Sequence, residues 1–297
     1  METKKLIPAS ILISAIIIAA SWIYTTGLKT NTAPKENNVQ KQGQISNNLE
    51  SQVLPSEGVA LPIKWGDLGK KLIETGVIDA QKFESIYANR GGLSTEDKNL
   101  IYGASNGNLR ITERNAGIIL NLFWALGLGN KNEILEKGPM ADPQYGGVQN
   151  FASTGGWTIG KGDIMEHYSH HQFVTLTPEQ QKMVERVSKG IFRPCCDNPT
   201  HFPDCNHGMA MLGLLELMAS QGASENEMYK AALAVNSYWF PDTYLTIAKY
   251  LKQKGMSWDE ADSKEILGQN YSSASGYSKI LSQVTPPERR GGNGCGV

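Results

Sequence analysis

One stretch limits the possible folds of this chain more than any other. It reads Pro194-Cys195-Cys196-Asp197-Asn198-Pro199-Thr200-His201-Phe202-Pro203-Asp204-Cys205-Asn206-His207-Gly208-Met209. Its three prolines rule out a regular helix or an interior strand, since each removes a backbone donor and fixes φ. An apolar helical pattern, Met209 to Met218, follows at once. The segment is therefore expected to be a rigid loop that delivers Cys205 and His207 to the start of a helix. Three of the four cysteines and two of the five histidines fall inside it.

The spacing is Cys-Cys-x8-Cys-x-His, through Cys195, Cys196, Cys205 and His207. Soft thiolates with one imidazole suit zinc or Cu(I), and a set of three cysteines and one histidine completes a closed tetrahedral zinc site. The helix that follows places partial positive charge beside Cys205, which favours its thiolate. His201, Met209 and Met211 are further soft or borderline donors and tilt the choice toward copper. Adjacent side chains seldom reach one ion, so Cys195 and Cys196 either serve two ions or only one of them ligates. The competing reading is oxidised structure, with Cys205 bridged to one of the pair and Cys295 returning to the other. Thioredoxin-like exchange lacks its Cys-x-x-Cys spacing.

A second constellation lies on a helix expected over Asp163 to Gln172. Positions three and four apart share a helical face, which sets His167 beside His170 or His171 and Asp163 beside His167. That face suits a possible second metal site, with Glu166 as base in a hydrolase, although the order is not that of the zinc proteases. A solvated polar face is the plainer reading.

Two lysines, Lys4 and Lys5, precede an uncharged run from Leu6 to Tyr24. A run of about 20 apolar residues is what a membrane-spanning helix needs. The preceding positive charge predicts an N-in orientation. Trp22, Ile23 and Tyr24 extend the run past the small residues Ala19, Ala20 and Ser21, which favours an uncleaved anchor over a cleaved signal peptide. No cysteine lies near the run, which argues against a lipoprotein anchor. The body is then expected to be extracytoplasmic, at the cell surface or in the periplasm. Residues 25–60, rich in Asn, Gln, Lys and Ser, read as a flexible tether. Positive and negative charges nearly cancel, at a formal net charge of -1, so no basic field for nucleic acid is present.

From Leu61 to about 285 the pattern is read as helical throughout. Asp79, Ser94, Thr177, Ser224 and Ser257 supply helix starts, four of them with an acidic or amide residue three places on or within the first turn. A strongly apolar helix is expected after Thr112, through Ile118, Phe123, Trp124 and Leu126. Asn106-Gly107-Asn108 reads as a turn. The glycine-rich segment Gly138 to Gly162 reads as a long irregular loop with no phosphate or dinucleotide pattern. Residues 286–297 form a loose tail. The fold class expected is all-α: an irregular multi-helix domain (61–285) behind a short n-region (1–5), an anchor (6–24) and a tether (25–60).

The run from Pro194 to Ala210 is similar to one in membrane-anchored bacterial proteins of unassigned function. More loosely it resembles extracytoplasmic proteins with a Pro-Cys-Tyr-Cys-Gly-Cys motif, from which it departs because Cys195 and Cys196 are adjacent. The resemblance implies a prokaryotic surface protein and carries no activity with it. Three readings follow. The preferred one is a membrane-tethered zinc- or copper-binding protein. The others are a cell-envelope hydrolase using the histidine face and a disulfide-pinned, non-catalytic binding module.

Overall fold

A computed structural model describes residues 49–285 of the 297-residue chain. The expected anchor, most of the tether, the tail and Cys295 lie outside those residues. The body already includes residues ahead of position 60: Leu49 and Val53 sit on a helical turn and are buried in the core. Their four-residue spacing is that of one helix face, and Tyr238 Oη closes the segment down by donating to the Pro55 carbonyl at 2.7 Å.

The described residues are mainly helical, with one departure from an all-α plan. A two-stranded antiparallel sheet joins β1 (Val59–Gly66) to β2 (Asn106–Ile111). Residues 61–65, expected to be helical, alternate instead: Leu61, Ile63 and Trp65 face the core and Pro62 and Lys64 face out. That period of two is the strand signature. The pairing runs Val59↔Ile111 to Gly66↔Asn106, with an irregularity between Ala60 and Lys64. Pro62, which has no N–H to give to a ladder, lies within that irregularity. Asn106-Gly107-Asn108, expected as a turn, is the first half of β2.

Between the strands lie α1 (Leu68–Glu74), α2 (Ala80–Ala88) and α3 (Thr95–Tyr102). Asp79 and Ser94 cap the latter two as their side chains predict. After β2 comes α4 (Ala116–Gly129), which is buried nearly all round, then α5 (Glu133–Lys137). The glycine-rich segment is a chain of short 3-10 turns, including Pro139–Ala141, Pro143–Tyr145 and Val148–Asn150. It is tied down by side chains and backbone: Trp124 Nε1 donates to Ser153 O and the Asp79 N–H to Ile159 O, each at 2.7 Å.

The helix expected over Asp163 to Gln172 does not form. A 3-10 turn, Ile164–Glu166, is followed by Ser169 at φ 51°, which ends any helix. The cause is a better use of backbone donors. Ser169 and His171 give their N–H groups to Leu128 O and Gly129 O, the otherwise open carbonyls at the end of α4.

The remaining elements are α6 (Pro178–Gly190), α7 (Asn206–Ser220), α8 (Glu225–Trp239), α9 (Pro241–Gln253), α10 (Ser263–Ile266), α11 (Gln269–Ser272) and α12 (Ala274–Leu281). Capping boxes at Thr177 and Ser224 open α6 and α8 as expected. At the centre, α4 crosses α7 at a pair of glycines. A Cβ on Gly127 would stand 2.2 Å from Met209 O, and one on Gly213 would stand 2.4 Å from Phe123 O. Among the described residues no helix is long and apolar enough to cross a membrane.

The crossing makes a paired test possible within α4. Gly127→Ala forces the two helices apart and is expected to lower stability by about 1–3 kcal/mol in urea unfolding. Gly117→Ala, on the exposed side where a Cβ meets nothing within 4 Å, is expected to raise it by up to about 1 kcal/mol.

Candidate metal centre

The loop between α6 and α7 is clamped on three sides. Thr200 and His201 give their N–H groups back to Ile191 O and Ser188 O, at the end of α6. The Ala274 N–H donates to Cys196 O at 2.9 Å, and the Ser275 N–H to the Asp197 carboxylate at 2.8 Å, which fixes the loop against the start of α12. From the glycine-rich segment, the Ser153 N–H donates to Asp204 O at 3.2 Å. With three prolines, the loop has few other ways to satisfy its carbonyls.

Its interior is organised by Arg193, which is only 1% exposed. Arg193 Nε donates to Cys205 Sγ at 2.9 Å, Nη1 to Asn198 O at 2.9 Å and Nη2 to Phe202 O at 3.0 Å. Nη2 also pairs with the Asp204 carboxylate, whose second oxygen accepts from Asn198 Nδ2 at 2.8 Å. A planar donor fork of this kind suits a buried ion pair better than a lysine does. Room for it comes from Gly208, where a Cβ would stand 2.6 Å from the guanidinium.

Cys205 is the N-cap of α7, yet its side chain makes no bond to the helix N–H groups. It turns instead toward Arg193 and Cys195. The Cys195 and Cys205 sulfurs are 3.5 Å apart, and Cys195 Sγ lies 4.0 Å from His207 Nδ1. The ligand atoms of Cys195, Cys205 and His207 all lie within 4.8 Å of one another. A tetrahedral zinc ion with ordinary bond lengths needs sulfur–sulfur edges of about 3.8 Å and sulfur–nitrogen edges of about 3.6 Å. The two measured edges are within a few tenths of an ångström of these. His207 is buried, with its ring against Phe240 at 4.4 Å between centroids.

A second group overlaps the first: Cys196, Asp204 and Cys205 also have ligand atoms within 4.8 Å of one another. The expected four-residue set is therefore split. Cys205 belongs to both groups, His207 sits with Cys195, and Cys196 sits with Asp204. No disulfide links the three described cysteines.

The thiols are unequal. Hydrogen bonds from Cys195 and then Cys196 pull Cys205 well below the ordinary thiol range; Arg193 and His207 act in the same sense, against burial. The Cys195 thiol is pushed up by its hydrogen bonds to Cys196 and Cys205 and by burial. Cys196 stands at about 11: its hydrogen bond with Cys195 lowers it, but its bonding to Cys205 and burial outweigh that. Burial raises Asp204, and Arg193 draws it part of the way back. Burial opposes the Arg193 charge, but Cys205, Cys196 and Asp204 more than offset it, so the guanidinium stays cationic.

The possible second site is assembled differently from the helix expected there. His167 Nδ1 and His171 Nε2 are 3.0 Å apart, and the other nitrogen of His167 meets Lys161 O at 3.1 Å. His170 packs edge-on to His171. Burial, with His167 and His170 nearby, lowers the His171 imidazole. Asp163 spends its carboxylate as a cap, accepting from the Met165 N–H. Among the described residues these four form no group of metal-ligating atoms of the kind found in the cysteine loop. A cavity of about 570 Å³ lies between α5 and α6, lined by Asn132, Glu136 and Gln181 among others, with no histidine in its lining.

Arg193, Asp204 and Glu216 are the polar residues that the sequence reading passed over. Glu216 on α7 is fully buried and accepts from Asn130 Nδ2 at 2.8 Å and from Asn132 Nδ2. Both amides are held in orientation by backbone donors, Val174 N–H on Asn130 Oδ1 and Ile134 N–H on Asn132 Oδ1. Burial raises the Glu216 carboxyl well above the ordinary range, and the two asparagines only partly counter it. The signal available in sequence was a single acid inside an otherwise apolar helix.

A carboxyl raised in the folded state holds its proton longer than in the unfolded chain. Stability then falls as pH rises from the ordinary carboxylate value toward the raised one. Relative to Glu216→Gln, which cannot titrate, the parent is expected to lose stability above about pH 5, at no more than about 1.4 kcal/mol per pH unit. Urea midpoints measured across pH check this, and a flat difference would show that Glu216 ionises normally. No protein-family model, curated protein or solved structure matches this chain.

Proposed function

We propose that this chain is a metal-binding protein that takes a soft or borderline ion, zinc or copper, in the loop before α7. One observation carries the reading: two thiols and an imidazole, from Cys195, Cys205 and His207, converge to within 4.8 Å at a helix start. Three donors of this kind match the preference of those ions, and the start of a 15-residue helix adds positive potential that favours thiolates. Sites with three protein ligands keep a fourth position for an exogenous group. Acquisition, delivery, sensing or protection are the roles such a site would serve. The uncharged run at Leu6 to Tyr24 supports placing it outside the cytoplasm on a membrane tether. In an oxidising compartment the ion would also keep Cys195 and Cys205 from pairing.

Anaerobic purification followed by elemental analysis tests the reading. The parent is expected to retain an ion and Cys205→Ser to lose it, with at least a tenfold drop in metal per chain. Equal, metal-free samples of both, after exposure to zinc and to Cu(I), would remove the proposal.

A further inference from the structure

Cys205 belongs to two overlapping groups of ligand atoms, and a bridging thiolate is a common way to hold two ions. Arg193 bears directly on that choice. Its Nε–H occupies one side of the Cys205 sulfur at 2.9 Å, and its Nη2 occupies the Asp204 carboxylate. Two of the three donors of the Cys196/Asp204/Cys205 group are thus already committed to a buried cation. The guanidinium is held by two carbonyls as well, Asn198 O and Phe202 O, and seated over Gly208. It cannot swing out without leaving those acceptors bare in a buried site. In the other group the shared sulfur is the donor that Arg193 engages, while Cys195 Sγ stands 3.5 Å from Cys205 Sγ and 4.0 Å from His207 Nδ1.

Building on the metal-binding reading, we infer that Arg193 takes the place of a second ion. The loop then holds one ion, on Cys195, Cys205 and His207, rather than a thiolate-bridged pair. The guanidinium fills the sulfur lone pair that a bridge would need, and its charge repels a neighbouring cation in a low-dielectric site. Its hydrogen bond fixes the Cys205 sulfur in place, 3.5 Å from that of Cys195. Residues that hold a ligand from behind in this way set metal affinity and geometry. A single-ion centre fits exchange, sensing or a local structural role.

Titration of the full chain with Co(II) under anaerobic conditions, followed by displacement with Zn(II), tests this. The parent is expected to bind one equivalent, with thiolate-to-cobalt charge-transfer and tetrahedral d–d bands. Cys196→Ser dismantles the neighbouring group and is expected to keep both the stoichiometry and the bands. Cys195→Ser and His207→Gln are expected to weaken binding at least tenfold. Arg193→Met is expected to admit a second equivalent that disappears again when Cys196→Ser is added, whereas Arg193→Lys, which keeps the charge, stays at one. Two equivalents in the parent would overturn the inference while leaving the metal reading intact. So would loss of the ion in Cys196→Ser, or a folded Arg193→Met that still takes one. A parent that takes up none removes the metal reading itself. If Arg193→Met does not fold, Arg193→Gln, which removes the charge but keeps an amide donor, carries that arm with the same expected second equivalent, and the parent and Cys196→Ser still decide between one ion and two.

Discussion

The most extensive contact between two secondary elements among the described residues is the crossing of α4 and α7 at Gly127 and Gly213. The absence of a side chain at both positions lets the two helix backbones touch. Nearly every residue of α7 is then buried, which is why it can carry chemistry at one end and a lone acid farther along. Its first turn holds His207 in the interior, with the half-buried Cys205 as its cap. Farther along, Glu216 meets the asparagines that follow α4. Any shift in the crossing would move both polar sites together, because both ride on the same rigid rod.

At the cysteine-bearing end of α7 a buried guanidinium does what a hydrophobic plug cannot. Arg193 satisfies two carbonyls, one carboxylate and one sulfur of a loop whose prolines leave it short of donors. Burying a charge is costly unless it is paired and hydrogen-bonded, and here it is both. The result is a loop held in one shape, with Cys205 made the most acidic of the three thiols. Outside the loop, the chain after α4 solves a similar accounting problem. Residues 169–171 give up helical structure to satisfy the end of α4, and in doing so bring His167 and His171 into contact.

Much of the helical body was legible in the sequence. Ser94, Thr177 and Ser224 mark helix starts by local rules that hold whatever the fold, since a cap bonds to its own next turn. The apolar patterns of α4 and α7 were legible for the same reason. The loop ahead of α7 could be read from three prolines and a cluster of thiols. The strands were harder. Leu61, Ile63 and Trp65 do alternate, but β1 pairs with residues 40 or more positions away, and nothing near it in sequence names the partner. The helix expected at Asp163 failed because its N–H groups found acceptors on α4, an option no local pattern reveals.

The sequence alone determined that soft ligands would gather in a rigid loop before an apolar helix, because proline geometry and residue chemistry are local. Which of those ligands share a centre was decided only by tertiary structure. Cys195 and Cys196 are adjacent in sequence, yet the fold groups one with His207 and the other with Asp204. Arg193, unremarkable as a residue preceding a proline, became the organising charge only once Gly208 and the loop carbonyls closed around it. Distance and burial set its role, and both depend on packing between segments that are not neighbours in the chain.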